Sequence, residues 1–288
     1  MKLPSLFVLL VGCLAAYAET EEQINKRFAV QPGGTLVVDV DFGSIDVATN
    51  ASKEVIVDVF RKVRMPDKSD EEAFLRDRPV TFSQEGNTVT IRSRRQNKTR
   101  ESWRGAQRTQ GEYTITVPAQ FNAQLKTSGG GIAVSDLSGD VKANTSGGGL
   151  KFTRLQGPLD GHTSGGGIRV TDCEGSLKVH TSGGGITIEN VAGRVSGSTS
   201  GGSISAVLRS PLSDEVRLST SGGGVTVRVP EDAAFDLDAA TSAGGVSSEL
   251  PVTVVGKIAR DQIKGPVNGG GQPVVLRSSA GSIRLKRL

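Results

Sequence analysis

Cysteine, histidine and aromatic side chains are all scarce in this sequence. Its 288 residues include two cysteines, two histidines and one tryptophan, and only 4% are aromatic. Cys13 lies in a segment that we expect to be removed, which leaves Cys173 alone and excludes an intrachain disulfide in the mature chain. Stability must therefore come from aliphatic packing and backbone hydrogen bonds.

Long apolar runs are absent except at the very start of the chain. Lys2 precedes the apolar run Leu3–Leu14, which is too short to span a bilayer, and the small-x-small segment Ala16–Ala18 follows. We expect residues 1–18 to be a signal peptide that is cleaved before Glu19. The chain is then exported, to the periplasm, the cell surface or the medium.

A second interpretation of the same segment stays open. Leu10-Val11-Gly12-Cys13 also fits a bacterial lipobox, in which Cys13 would carry a lipid anchor. The formal net charge of +4 is mild. An exported protein rarely meets nucleic acid, so we expect no nucleic-acid partner; contact with a membrane periphery or a lipid anchor remains compatible with the sequence.

What the sequence has in abundance is a repeated glycine-rich hexamer. TSGGGI begins at Thr127, Thr163 and Thr181, and a copy that ends in Leu begins at Thr145. Looser copies begin at Thr199, Thr220, Thr241 and Ser278. The first five copies are 18 residues apart, the next two 21 apart, and a 37-residue gap precedes the last. A fixed period near 20 indicates stacked units that bury their apolar faces on one another.

The apolar positions of the repeat have the period of a β-strand. Position six of each copy is aliphatic, as in Ile132 and Ile168, and position eight is apolar, as in Val134 and Val170, with polar or small residues between. Like residues should stack about 4.8 Å apart along the coils. The sequence therefore predicts an all-β fold, a parallel β-helix or β-solenoid with coils of about 18–21 residues.

The glycines are predicted to be corners, where a positive φ is cheap only for glycine. A single-glycine column at Gly139, Gly157, Gly175 and Gly193 marks a second corner. The predicted structural turn glycines are Gly129, Gly130, Gly131, Gly147, Gly148, Gly149, Gly165, Gly166, Gly167, Gly183, Gly184 and Gly185.

The chain divides into three parts on these patterns. After the signal peptide (1–18), residues 19–111 form a less regular solenoid part, and residues 112–288 carry the regular repeats. Within the second part, Ser69–Asp77 is predicted to be a short helix with Ser69 as its N-cap, and 94–111 a mobile basic loop. The C-terminal SIRLKRL is expected to shield the end of the stack or to pair with a neighbouring molecule.

With the signal segment, the PGGTLVVDVDFGSIDV opening and the TSGGGI corners together, the chain resembles a large bacterial family. It is a family of unknown function with Gly-rich β-strand repeats, whose members carry the label "putative adhesin". The resemblance spans nearly the whole mature chain. It implies a β-solenoid exported to the cell envelope, and it implies no catalytic residues.

Each local motif has a structural interpretation. The glycine loops lack the lysine and the helix of a P-loop, and no aspartate recurs at a calcium-binding offset. His162 and His180 should lie in one column of adjacent coils, without a third metal ligand. Cys173 should be buried, and the threonine column should form hydroxyl hydrogen bonds between coils. We expect no catalytic residue, metal or cofactor.

The basic loop is the local feature that most favours contact with a partner. Its one tryptophan among arginines could lie at the surface of an anionic lipid or polysaccharide. The candidate contact residues are Arg94, Arg95, Lys98, Arg100, Trp103, Arg104 and Arg108.

These patterns favour a non-enzymatic, exported cell-envelope β-solenoid, an adhesin-like binding or structural module whose partner is an envelope polymer or protein. Two alternatives stay open. One is a carbohydrate-active β-helix enzyme, which would need a charged cluster in one cleft. The other is a periplasmic component of envelope sensing.

Overall fold

The computed structural model describes residues 19–96, 108–254 and 259–288. Within them lie 24 strands and one helix, α1 (Lys68–Asp77), so the all-β prediction with one short helix is confirmed. The strands are β1 (Thr20–Ala29), β2 (Gly34–Val40), β3 (Ser44–Asn50), β4 (Glu54–Arg64), β5 (Thr81–Glu85), β6 (Thr88–Ser93), β7 (Arg108–Pro118), β8 (Phe121–Thr127), β9 (Ile132–Ser135), β10 (Val141–Thr145), β11 (Leu150–Thr153), β12 (Leu159–Thr163), β13 (Ile168–Thr171), β14 (Leu177–Thr181), β15 (Ile186–Val191), β16 (Val195–Thr199), β17 (Ile204–Leu208), β18 (Val216–Thr220), β19 (Val225–Val229), β20 (Phe235–Thr241), β21 (Val246–Ser248), β22 (Gln262–Val267), β23 (Gln272–Ser278) and β24 (Ile283–Arg287).

Two long sheets run along the solenoid. Sheet A has the order β1-β4-β7-β3-β9-β11-β13-β15-β17-β19-β24-β21, and sheet B has the order β22-β20-β23-β18-β16-β14-β12-β10-β8-β2-β6-β5. A coil contributes one strand to sheet B and the next to sheet A. The 18-residue period fixes the parallel register between coils, since Leu150 pairs with Ile168 and Ile168 with Ile186.

The core is a continuous apolar cluster between the two sheets. The aliphatic positions of successive strands are at most a few per cent exposed, as at Ile132, Leu150, Ile168 and Ile186. Cys173 occupies one of these apolar columns and is 5% exposed, which confirms its predicted burial. Burial raises the pKa of its thiol.

At the N-terminal end the coils do not follow chain order. The coil of β2 and β3 lies between the coil of β6 and β7 and the coil of β8 and β9. Outside them, β4 and β1 extend sheet A with antiparallel pairs, and β5 ends sheet B. The irregular first part therefore belongs to the same two sheets as the regular repeats.

The C-terminal end has the same kind of exchange. The last coil, β23 and β24, is inserted between the coil of β18 and β19 and the coil of β20 and β21. The C-terminal SIRLKRL is thus β24, paired on both edges. The expectation that it shields the end of the stack or pairs with a neighbour is wrong; β21 and β22 occupy those end positions.

Two boundaries in the first part differ from the sequence prediction. Helix α1 begins one residue earlier, with Asp67 as its N-cap, and makes no side-chain capping hydrogen bond, so the Ser69 cap is wrong. Residues 108–111 are not loop. They begin β7, where Arg108 pairs with Arg64, because β4 extends to Arg64 and pairs antiparallel with β7 that far.

A buried arginine ties β1 to the rest of this end. Arg61 lies on the inward side of β4 and is fully buried. Its Nε donates to Glu22 at 2.7 Å, its Nη2 is also bonded to Glu22, and its Nη1 donates to the Arg78 carbonyl at 2.5 Å and to Ser93 Oγ at 3.1 Å. Buried Glu71 accepts a hydrogen bond from the Thr20 hydroxyl at 2.6 Å, so two polar contacts fasten β1.

Candidate binding surfaces

The glycine triplets are corners, but not for the predicted reason. No glycine of the four predicted triplets has a φ in the left-handed region, whereas the single-glycine column does, with φ of 151° at Gly139 and 128° at Gly157. The middle glycine of each triplet lies against the backbone of the preceding coil. A Cβ at Gly148 would stand 2.1 Å from the carbonyl oxygen of Gly130. The positive-φ explanation is therefore wrong for the triplets, whose middle glycine is required for close stacking of backbones.

The threonine column confirms the predicted hydroxyl hydrogen bonds between coils. Thr145 Oγ1 donates to the Gly130 carbonyl at 2.7 Å, and Thr163 Oγ1 donates to Gly148 at 2.7 Å. The bond recurs at Thr181, Thr199, Thr220 and Thr241. These threonines are at most 6% exposed, so the column belongs to the scaffold and does not offer a ligand site.

A second column of corner residues has a positive φ although none of them is glycine. Asp136, Arg154, Asp172 and Asn190 have φ between 52° and 63°. Their side chains pair along the stack: Arg154 Nε lies 2.6 Å from Asp136 Oδ1, and Asn190 Nδ2 donates to Asp172 at 3.1 Å. The column therefore forms a ladder of charged and polar side chains on the surface. Aspartate and asparagine tolerate this conformation, which is the sequence signal for the corner.

The two histidines lie where the repeat predicts them. His162 pairs with His180 in the register of β12 and β14, and their rings stack with centroids 5.1 Å apart and planes 10° apart. His180 Nδ1 lies 2.8 Å from Ser198 Oγ on the next coil. The described residues contain no group of three His, Cys, Asp or Glu side chains that could hold a metal ion.

The outer face of sheet B carries an excess of positive charge between β8 and β23. Two outward columns cross these seven strands in register. Asp160 is the acidic residue of this part of the two columns. The basic residues are Lys126, Lys142, Lys178, Arg217 and Arg277.

A trough of about 460 Å³ crosses the same face near its C-terminal end. His180 lies at one end, Ser198, Ser219 and Arg277 follow on the next three strands, and Ala240 of β20 lines the trough beyond Arg277. The floor is low because serine replaces the larger side chains of the neighbouring coils. Further hydroxyl groups from the Thr-Ser corners, including Ser221, line one side.

Arg94 and Arg95 of the predicted contact loop engage carboxylates of the scaffold. Arg94 Nε donates to Asp39 at 2.8 Å and Arg94 Nη1 to Asp41 at 2.8 Å, while Arg95 Nε donates to Asp77 at 3.1 Å. The neighbouring positions Lys98, Arg100, Trp103 and Arg104 lie outside the described residues, as does the side chain of Arg108. Their role as a contact surface stays a prediction.

The outer face of sheet A has a smaller groove, of about 330 Å³. Asp46, Lys151 and Arg154 contribute its charged groups. Asp46 is exposed as a residue, but partial burial of its carboxyl group, followed by the charge of Glu112, raises its pKa. This groove is the feature of the described chain that comes nearest to the charged cleft of a carbohydrate-active enzyme.

Comparison with known proteins defines the class. The profile of the family Toastrack DUF4097 matches residues 37–286. None of the curated proteins matches the chain.

In the residues that the structure describes, no helix is long and apolar enough to cross a membrane.

Solved structures of similar extent come from other bacteria. A "putative adhesin" from Parabacteroides merdae is 10% identical, with a TM-score of 0.43, and the match covers 92% of this chain and 96% of that one. A "putative adhesin" from Bacteroides fragilis is 12% identical, with a TM-score of 0.39 and coverages of 93% and 97%. A "putative cell adhesion protein" from Clostridium sporogenes is 11% identical, with a TM-score of 0.30 and coverages of 93% and 100%.

The protein is a β-solenoid of stacked coils with two long parallel-stacked sheets. It belongs to the Toastrack DUF4097 family, which confirms the resemblance that the glycine corners carry.

Proposed function

We propose that this chain is an exported, non-enzymatic binding module of the cell envelope, and that the outer face of sheet B binds an anionic polysaccharide. The observation that supports this most is the basic pair of columns between β8 and β23. Five cations and one carboxylate project from seven strands that are spaced about 4.8 Å apart. A regular array of charge suits a polymer that carries charge at regular intervals.

The apolar content of the surface that the structure describes favours a polymer over insertion into a bilayer. Insertion into a membrane needs exposed apolar side chains, and Leu288, at the C-terminus, is the exposed large hydrophobic residue of the described chain. The two columns of sheet B carry serine, asparagine and glutamine beside the charges, as at Ser196, Asn144 and Gln124. Such groups exchange hydrogen bonds with sugar hydroxyls.

Binding to immobilised polygalacturonate, an acidic polysaccharide, tests the proposal. We expect the chain from Glu19 to bind it, to ignore neutral dextran, and to be released near 1 M salt, where the screening length falls to about 3 Å. The double variant Lys142→Glu, Lys178→Glu should lose at least about tenfold in affinity, since two of the five positive charges of the face are reversed. Surface plasmon resonance gives the affinities.

The matched control makes the same charge change on sheet A, as Lys151→Glu with Arg169→Glu. It should change the affinity less than about twofold. Equal losses in the two variants would show that net charge, and not this face, governs binding. Equal or tighter binding to vesicles of anionic lipid would overturn the polysaccharide proposal. Release of reducing ends from the polymer, abolished by Asp46→Asn, would establish the enzymatic alternative.

Export and its processing are tested in a bacterial host with a separated envelope. We expect a soluble product that begins at Glu19, because Ala16–Ala18 presents a signal peptidase site. The measurement is fractionation with and without globomycin, which blocks lipoprotein processing, followed by N-terminal sequencing. A membrane-bound product that globomycin retains in precursor form would assign Cys13 as a lipid anchor instead.

A further inference from the structure

Arg277 lines the trough on sheet B, and its guanidinium is held from one side. Arg277 Nη1 donates to the carbonyl oxygens of Asp238 at 2.7 Å and Leu276 at 3.0 Å. The same nitrogen lies 3.0 Å from Asp238 Oδ1, an ion pair without hydrogen-bond geometry. These contacts hold the guanidinium in place before any ligand arrives.

The other side of the same guanidinium is available. The side chain of Arg277 is 43% exposed, and its Nε and Nη2 donate to no group among the described residues. Nε–H and Nη2–H point in parallel and form the planar fork that receives both oxygens of a carboxylate. Because Nη1 is already held, little side-chain entropy remains to be lost when the fork binds.

A second oriented group, His180, lies at the end of the trough away from β20. His180 Nδ1 is fixed on Ser198 Oγ at 2.8 Å, and the stacked ring of His162 supports its far face. Its Nε2 has no hydrogen-bond partner among the described residues. Three strand spacings separate His180 from Arg277, which is about 14 Å. With a volume of about 460 Å³, the trough lies within the range of small-ligand sites.

We propose that this trough is a subsite for a uronic acid residue of the polysaccharide, with its carboxylate on the Nε/Nη2 fork of Arg277 and its hydroxyl groups over Ser198 and Ser219 toward His180. The proposal rests on the proposed function of the sheet B face and adds the class of sugar that it selects. It also accounts for the serines, since a larger side chain at either position would fill the floor.

A short ligand isolates the subsite from the rest of the face. Trigalacturonate binding, followed by isothermal titration calorimetry, should weaken at least about tenfold in Arg277→Lys, which keeps the charge but lacks the fork. Arg217→Lys is the matched control on the same face, because Arg217 Nη2 is occupied by Glu215 at 2.7 Å; it should change affinity less than about twofold. Ser219→Gln, which fills the floor, should weaken binding as Arg277→Lys does.

The outcomes separate the two proposals. Equal affinities of Arg277→Lys and Arg217→Lys for trigalacturonate would overturn the subsite, while polymer binding that depends on Lys142 and Lys178 would leave the proposed function standing. Failure of the parent chain to bind any acidic polymer would overturn both. Thermal melting of each variant shows whether the fold is intact. Should Arg277→Lys unfold, unchanged binding by a folded Ser219→Gln would still overturn the subsite.

Discussion

Replacing Gly130 with alanine is expected to cost the fold about 3 kcal/mol or more, or to prevent folding at 37 °C. The new Cβ would stand 1.9 Å from the carbonyl oxygen of Gly43 and 2.2 Å from its carbonyl carbon. Both are backbone atoms of the neighbouring coil, so no side chain can move aside. The two coils must separate, which also lengthens the bond from Thr127 Oγ1 to the Gly43 carbonyl, now 2.9 Å.

The adjacent glycine provides the control. A Cβ at Gly129 meets no atom within 4 Å, and its φ lies outside the left-handed region, so Gly129→Ala should stay within about 0.5 kcal/mol of the parent. Urea unfolding followed by far-UV circular dichroism measures both variants. Similar unfolding midpoints for the two variants would show that the coils can move apart at little cost, and that Gly130 is not required for stacking.

Replacing Arg61 with methionine is expected to lower the free energy of unfolding by about 2–3 kcal/mol. Methionine fills most of the volume but removes the Nη1 donor from Ser93 Oγ and from the Arg78 carbonyl, which keeps the Ser93 hydroxyl as a donor at 3.1 Å. Glu22 loses its charge partner, but its side chain is 36% exposed and can be hydrated. The loss of stability is therefore smaller than for a fully buried charge that loses its partner. Detachment of β1 should accompany the loss.

The neighbouring lysine on the opposite side of β4 serves as the comparison. Lys62 Nζ lies at the surface, 2.8 Å from Glu19 and 3.0 Å from Glu21. Lys62→Met should leave the free energy of unfolding nearly unchanged, because exposed ion pairs contribute little to stability. Hydrogen exchange in β1 should accelerate in Arg61→Met and not in Lys62→Met. Unchanged exchange in both variants would contradict the fastening role of Arg61.

The regular middle of the solenoid was predictable because an 18-residue period fixes the register by itself. Once Thr145 is placed over Thr163, His162 must lie over His180 and Leu150 over Ile168. The buried position of Arg61 had a signal too: it continues the alternation of Val55, Val57 and Val59 along β4. A charged side chain is rarely buried without partners, and the partners of Arg61, namely Glu22, Arg78 and Ser93, lie far from it in the sequence.

The reason for the triplet glycines could not be read from one repeat. A requirement for positive φ is local, and the sequence shows it where aspartate or asparagine occupies a corner, as at Asp136 and Asn190. Close approach of two backbones is a property of neighbouring coils. It becomes visible only when the atoms of Gly130 and Gly148 are placed together.

The trough depends on the coil exchange at the C-terminal end. Chain order would set Ala240 beside Ser219, since Thr241 follows Thr220 by 21 residues. The structure places β23 there instead, and so Arg277 lines the trough beside Ser219. The 37-residue gap from Thr241 to Ser278 does not predict this exchange. A coil inserted into the stack and a long loop can have the same number of residues.

Because the order of coils is exchanged at both ends, the number of stacked coils can change only in the middle of the solenoid. A repeat gained or lost between β10 and β16 moves both ends by a whole rung and breaks no pairing, whereas a repeat appended after β24 would begin inside the stack, between two coils already in place. Length can therefore change by duplication of internal 18-residue segments while both terminal structures stay the same. The basic face would lengthen with it, so reach along a polymer is the quantity that such duplications would alter.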